Sequence, residues 1–225
     1  MNIALFGGTF DPIHTGHVQA AQAAVRKFHL DRVLFIPTGN PPHKVRDRLT
    51  PFPQRFAMVA LACADDARFI PSLLEAPTPD GRPRYSVSTV RTAKRMVRPS
   101  DRLFYLIGVD AFLDIPHWRE YRQLLDLVDF IVVSRPGFDA REIRKVVPQD
   151  LIRPGQGRKQ PDTIHLVHST LHILAGVDVP VAARDIREAI RARLRVTGLV
   201  PPLVEEYILK EDLYRPRLGG KRQER

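Results

Sequence analysis

A chain of 225 residues, 44% of them hydrophobic, is long enough to bury one full core, and its single cysteine, Cys63, excludes an internal disulfide framework. A formal net charge of +10 favours an anionic partner without choosing among nucleic acid, a membrane surface and a phosphorylated metabolite. The first apolar run, Ile3 to Phe6, lacks the basic start and the length of a signal peptide, and no stretch approaches a membrane span, so a soluble, cytoplasmic protein is expected.

In chain order, apolar runs of strand length fall at Ile3 to Phe6, Val33 to Ile36, Leu103 to Ile107 and Phe130 to Val133. They are continuous rather than alternating, as strands covered on both faces are. Helical spacing separates them, at His17 to Phe28 and at Pro53 to Ala64, where Cys63 reads as a small buried hydrophobe. Strands alternating with helices predict a doubly wound, mostly parallel α/β sheet. The stretch Pro148 to Pro161 is rich in Pro, Gly and charge and reads as a surface loop within one domain. Ile164 to Val167 and Leu171 to Leu174 read as a last strand region. Asp185 to Leu194 and Pro201 to Leu209 read as a small C-terminal helical part, with Asp185 and Glu188 in capping-box spacing.

A single domain over residues 1–214 is expected, followed by a basic tail, 215–225, which carries Arg215, Arg217, Lys221, Arg222 and Arg225. The tail reads as frayed and solvated. It has no aromatic after Tyr214 to stack on bases, so neither a nucleic-acid nor a membrane partner is expected.

The densest chemistry lies in GGTFDPIHTGH, Gly7 to His17, between the first strand and the first helix. Ligands of doubly wound sheets bind at the carboxyl ends of central strands. Gly7 and Gly8 let backbone pass close to a phosphate, and the following helix turns unpaired amides and its positive dipole end toward an anion. His14 and His17 add side-chain donors aimed at the same place, near the amides of Thr9 and Phe10. The same two histidines could ligate a metal or merely cap the helix, but no Cys or third His lies nearby, so no metal site is expected. His165, His168 and His172 invite the same question, and strand alternation is expected to scatter their directions.

These residues resemble the adenylyltransferases that carry Gly-Gly-Thr/Ser-Phe-Asp-Pro-x-His-x-Gly-His, and the eleven positions here fit without a mismatch. The rest of the chain, to about Tyr214, is similar to the bacterial nicotinate-nucleotide adenylyltransferases in IPTGNPPHK (Ile36 to Lys44), the helix with Arg55 and Met58, RYSVSTV (Arg84 to Val90), LIGVDAF (Leu106 to Phe112) with Trp118, SRPG (Ser134 to Gly137) and VPPLVEEYILKEDLY (Val200 to Tyr214).

The resemblance implies a Rossmann-like nucleotidyltransferase fold. It also implies direct attack of the nicotinate mononucleotide phosphate on the α-phosphorus of ATP, with Mg²⁺ accompanying the pyrophosphate. His14, His17 and Arg187 would stabilise charge, and Gly7, Gly8, Thr9, Phe10, Gly108, Asp110, Arg184, Ile186 and Arg187 would hold ATP, Asp110 at a ribose hydroxyl. Trp118 would stack on the nicotinate ring, amides around Tyr85 and Ser86 would receive its carboxylate, and His43, Lys44 and Arg135 would serve the mononucleotide. Residue by residue, blander readings stay open: Trp118 as a half-buried anchor, Asp110 as a helix N-cap, Lys44 as a solvated lysine. A homodimer or higher homo-oligomer is compatible with the sequence and required by none of it.

Two departures stand out. Where the family carries Ser-Ser-Thr-x-Ile-Arg to hold triphosphate, this chain has VAARDIR, Val181 to Arg187, so Ala182, Ala183 and Arg184 replace the hydroxyls. Arg184 is expected to offset the lost hydrogen bonds with charge, unless Asp185 caps the helix and occupies its amides. In RYSVST, Ser88 stands where the family tends to have an acid that caps the next helix.

Overall fold

The four apolar runs become the central strands: β1 (Asn2–Gly8), β2 (Arg32–Pro37), β4 (Arg102–Gly108) and β5 (Asp129–Val133). This computed structural model describes residues 1–40, 49–134, 137–154, 162–177 and 180–215. The described residues form a seven-stranded sheet in the order β3-β2-β1-β4-β5-β7-β6, where β3 is Phe69–Pro71, β6 Thr163–His165 and β7 Thr170–Leu174. Neighbours pair in parallel except β6 with β7, which are antiparallel.

Alternate residues of each strand enter different cores. Ala4, Phe6, Phe104 and Leu106 join the core covered by α1 (Thr15–Phe28), α2 (Phe52–Ala62), α7 (Ala183–Arg191) and α8 (Pro202–Lys210). Leu5, Tyr105, Ile107 and Phe130 face the other way, onto α3 (Ser86–Met96), α4 (Val109–Leu113), α5 (Tyr121–Leu127) and α6 (Arg141–Val146). With both faces dry, alternation has no polar side to show, which is why the runs are continuous. Leu5 is completely buried; truncating such a residue to Ala costs roughly 2–5 kcal/mol.

The order places a topological switch point between β1 and β4, where connections leave in opposite directions and a crevice opens at the strands' carboxyl ends. The segments after these strands, Gly7 to His17 and Gly108 to Asp110, therefore meet at one edge of the sheet, as expected. The C-terminal helices close the first core rather than standing apart: Ile186, Ile190, Val204, Ile208 and Leu213 share a cluster with Phe6. The Thr15 amide and hydroxyl both donate to Leu199 O at 3.0 Å.

Three details differ from the sequence reading. Strand β3 is only three residues long, too short to show a period. Helix α7 starts at Ala183 with Ala182 as its N-cap, so Asp185 is its third residue and caps nothing, and Glu188 is bound by Arg184 instead. In β6 and β7, Thr163 pairs with His172 and His165 with Thr170, so His165 and His172 share a face while His168 lies in the turn. His172 packs its ring on Phe28 at 5.3 Å, and among the described residues no group of three or more His, Cys, Asp or Glu stands ready for a metal.

Candidate functional site

A cleft of about 750 Å³ opens at the switch point. One wall is the loop from β1 into α1. Gly8 is required there by close approach, because a Cβ would meet the Phe10 ring at 2.9 Å. Phe10 adopts a left-handed backbone (φ 49), a conformation that costs about 1–2 kcal/mol for a non-glycine residue. Its ring is buried against Phe6, Phe35 and His17, and this packing offsets the strain. Only its backbone is therefore available to a ligand, whereas Gly7, Gly8 and Thr9 line the cleft.

The loop is held from behind by Arg55, a residue absent from the sequence-based site. Its guanidinium, almost wholly buried, donates from Nε to Thr50 O (2.8 Å), from Nη1 to Thr9 O (2.7 Å) and from Nη2 to Thr38 O (2.8 Å). Asp11 is a second brace. Its carbonyl accepts Arg187 Nη1 at 2.6 Å, and its carboxylate accepts the Tyr214 hydroxyl at 2.8 Å. Arg55 has a sequence signal: with Met58, Val59 and Ala62 it lies on the buried stripe of α2, and a charge in an apolar stripe must find partners inside.

His14 and His17 lie face to face, ring centroids 3.7 Å apart. The His14 amide donates to His17 Nδ1 at 3.2 Å, which assigns the proton of His17 to Nε2. Burial depresses the pKa of His14 to about 4, and burial followed by the neighbouring His14 holds that of His17 well below the usual imidazole range. At neutral pH the pair is uncharged. It offers hydrogen-bond donors to an anion without permanent charge, in a dry site where such bonds are strong.

The facing wall comes from β4, α4 and α3. Gly108 caps α4, and Asp110, in its first turn, lines the cleft rather than serving as the cap. Trp118, half-buried, meets Tyr105 edge-on at 6.4 Å. The Tyr105 hydroxyl donates to Ser86 Oγ at 3.0 Å. Ser86 opens α3 after Tyr85, and no side chain caps that helix. Ser88 is its third residue and donates to Tyr85 O at 2.7 Å, where an acid would have accepted from an amide. Glu75, buried at the cleft floor, accepts the Thr89 hydroxyl at 2.8 Å, and burial raises its carboxyl pKa. No periodicity marks Glu75 or Tyr105 in the sequence.

The third border is the approach to α7. Val181 lines the cleft and the helix begins two residues later; no side-chain hydrogen bond caps its first-turn amides, although Asp185 places a carboxylate in that turn. Ile186 is fully buried in the core and absent from the cleft lining. Arg184 is exposed and paired with Glu188 at 2.8 Å, outside the lining. His43, Lys44 and Arg135 lie outside the described residues.

Comparison with known proteins gives this geometry a family. A family model described as cytidylyltransferase-like matches residues 5–192. A probable nicotinate-nucleotide adenylyltransferase of Solibacter usitatus is 38% identical over 214 residues, spanning 95% of this chain and 100% of that protein. One of Geobacter sulfurreducens is 37% identical over 219 residues, spanning 95% and 98%. Among solved structures, Plasmodium falciparum nicotinic acid mononucleotide adenylyltransferase complexed with NaAD superposes with a TM-score of 0.71 at 18% identity, covering 95% of this chain and 97% of that one. At that identity the likeness carries the fold.

Proposed function

The chain belongs to the nicotinate-nucleotide adenylyltransferases of the cytidylyltransferase-like family, and we propose that its cleft performs their reaction with the residues described above. A phosphate oxygen of nicotinate mononucleotide attacks the α-phosphorus of ATP, the bond from that phosphorus to the bridging oxygen breaks, and pyrophosphate leaves. The product is nicotinate adenine dinucleotide, the precursor of NAD. No side-chain nucleophile is needed, because in-line phosphoryl chemistry depends on positioning and on stabilising charge.

The single observation that carries this reading is the neutral, stacked His14–His17 pair at the amino end of α1, beside a glycine loop at the switch point. His17 Nε2–H donates to the phosphate oxygens as charge builds, His14 backs it, and the α1 dipole favours the same charge. Arg187 lies outside the cleft lining with its Nη1 on the Asp11 carbonyl, and in this proposal its remaining N–H groups reach the triphosphate together with the amides of α7. Asp110 accepts a ribose hydroxyl, Trp118 stacks on the nicotinate ring, and the first amides of α3, around Tyr85 and Ser86, meet its carboxylate. His43, Lys44 and Arg135 are carried in this proposal by family resemblance alone.

Mg²⁺ fits as a passenger of ATP. The cleft offers Asp110 and the buried, hydrogen-bonded Glu75 but no group of three or more ligands among the described residues, which suits a cation already held by phosphates. Bound there, it would neutralise the leaving pyrophosphate. Among the described residues no helix is long and apolar enough to cross a membrane. A cytoplasmic location rests on the single cysteine, Cys63, whose burial pushes its thiol up to about 12.

The test is pyrophosphate release by the purified protein with ATP and a panel of mononucleotides. Release is expected with nicotinate mononucleotide. Silence across the panel would leave a nucleotide-binding protein without turnover, and release only with another phosphorylated acceptor would reassign the substrate.

A further inference from the structure

The end of the cleft proposed for nicotinate carries one cation, Arg119, that its neighbouring carboxylate holds only loosely. Arg119, the residue after Trp118, lines the cleft and lays its guanidinium over the Tyr85 ring, with Cζ 4.9 Å from the centroid. It thus reaches from the Trp118 side to Tyr85, the residue just before α3. The nearest carboxylate to it, Glu120, stands 3.7 Å from Arg119 Nε, beyond hydrogen-bond reach, and is engaged by Arg91 at 3.1 Å. Other groups at this end have neighbours of their own: His117 Nδ1 lies 2.9 Å from Asp114 Oδ1, and Arg84 and Glu75 line the cleft together. A guanidinium held over the Tyr85 ring in the cleft lining, next to the tryptophan proposed to stack on nicotinate, suits a carboxylate on that nicotinate.

We infer that Arg119 is a specificity-determining residue that favours the acid mononucleotide over its amide by pairing with the pyridine carboxylate. This rests on the proposed function and goes beyond it: the amides of α3 already favour an anion, and a side-chain cation beside them adds an ion pair that a carboxamide cannot form. Arg119 is 61% exposed at its side chain, so solvent screens the pair and the expected discrimination is moderate.

The experiment compares kcat/KM for nicotinate mononucleotide and nicotinamide mononucleotide in the wild type, Arg119→Gln and Arg119→Lys. Arg119→Gln is expected to lower the acid-to-amide ratio about tenfold, the size of one screened charge-assisted contact, through KM for the acid and with the amide unchanged. Arg119→Lys retains the charge and should keep a higher ratio than Arg119→Gln. Trp118 is the only tryptophan of the chain, so quenching of its fluorescence by each mononucleotide gives the same comparison without turnover. An unchanged ratio, an equal loss on both substrates, equal ratios in the two variants, or a wild type indifferent to acid and amide would each overturn the inference while the transferase reading stands. A wild type inactive with both mononucleotides would fail that reading instead.

Discussion

The amino ends of α1 and α7 border one cleft and are built in opposite ways. At α1 the machinery is internal: Phe10 and His17 pack edge to face, the His14 amide is held by His17 Nδ1, and Arg55 and Asp11 brace the loop from behind. At α7 no side chain caps the first turn, which carries Asp185, with Arg184 turned to Glu188 and Ile186 to the core. An anion site can thus be kept rigid by side chains packed around it, or left to the amides every helix possesses. The first kind is sensitive to substitution, and the second tolerates the alanines of VAARDIR.

The largest expected effect lies at α1. His17→Ala should lower turnover by about 10²–10³, as loss of one preorganised donor does, an effect far larger than the fall in unfolding temperature from losing its contacts with Phe10 and the His14 amide. Near-normal turnover would take the imidazole out of the mechanism and end the contrast between the two helices.

Acid should act next. Above pH 6.5, His14 is neutral in folded and unfolded chains alike, and stability is complete. As pH falls from 6.5 toward about 4, the unfolded chain takes up a proton that the buried ring refuses, so stability declines by on the order of 3 kcal/mol. His172, also depressed by burial, adds to the decline, whereas Glu75, raised by burial, opposes it. Melting temperatures across this range should fall less steeply for His14→Gln than for wild type. Parallel curves would mean that the pair does not hold its protons off.

At α7, Arg187→Ala should weaken ATP binding by roughly 1.5–3 kcal/mol, the loss of a charge-assisted partner, measured by titration at fixed salt. Arg184→Ala is the smallest case. Its pair with Glu188 is exposed and screened by solvent, so helix stability and ATP affinity should both barely change. If Arg184→Ala weakens ATP binding as much as Arg187→Ala, the guanidinium leaves Glu188 for the nucleotide, and α7 uses side chains after all.

Much of this arrangement was legible in the sequence because apolar runs and glycine loops are local signals. Ile3 to Phe6 announced a strand buried on both faces, and the glycines after it announced the turn that lines the cleft. What stayed hidden depends on contacts distant in sequence. Glu75 reaches the cleft because Thr89, fourteen positions on, holds it there. Tyr105 looks like any strand aromatic until Ser86 accepts from its hydroxyl. The start of α7 was misread because Asp185 suits a cap, whereas packing of Ile186 and Ile190 begins the helix at Ala183.

The hydrogen bond from Tyr214 to Asp11 joins residues 203 positions apart, and Arg187 reaches the same residue across 176. A ribosome delivers the phosphate loop almost at once but its braces only much later. A nascent chain paused after β5 has both strands of the switch point, yet neither Arg187 nor Tyr214 to clamp Asp11. The loop is therefore fully braced only after α8, and under the proposed function an emerging chain would lack the finished site with which to draw on the cell's ATP.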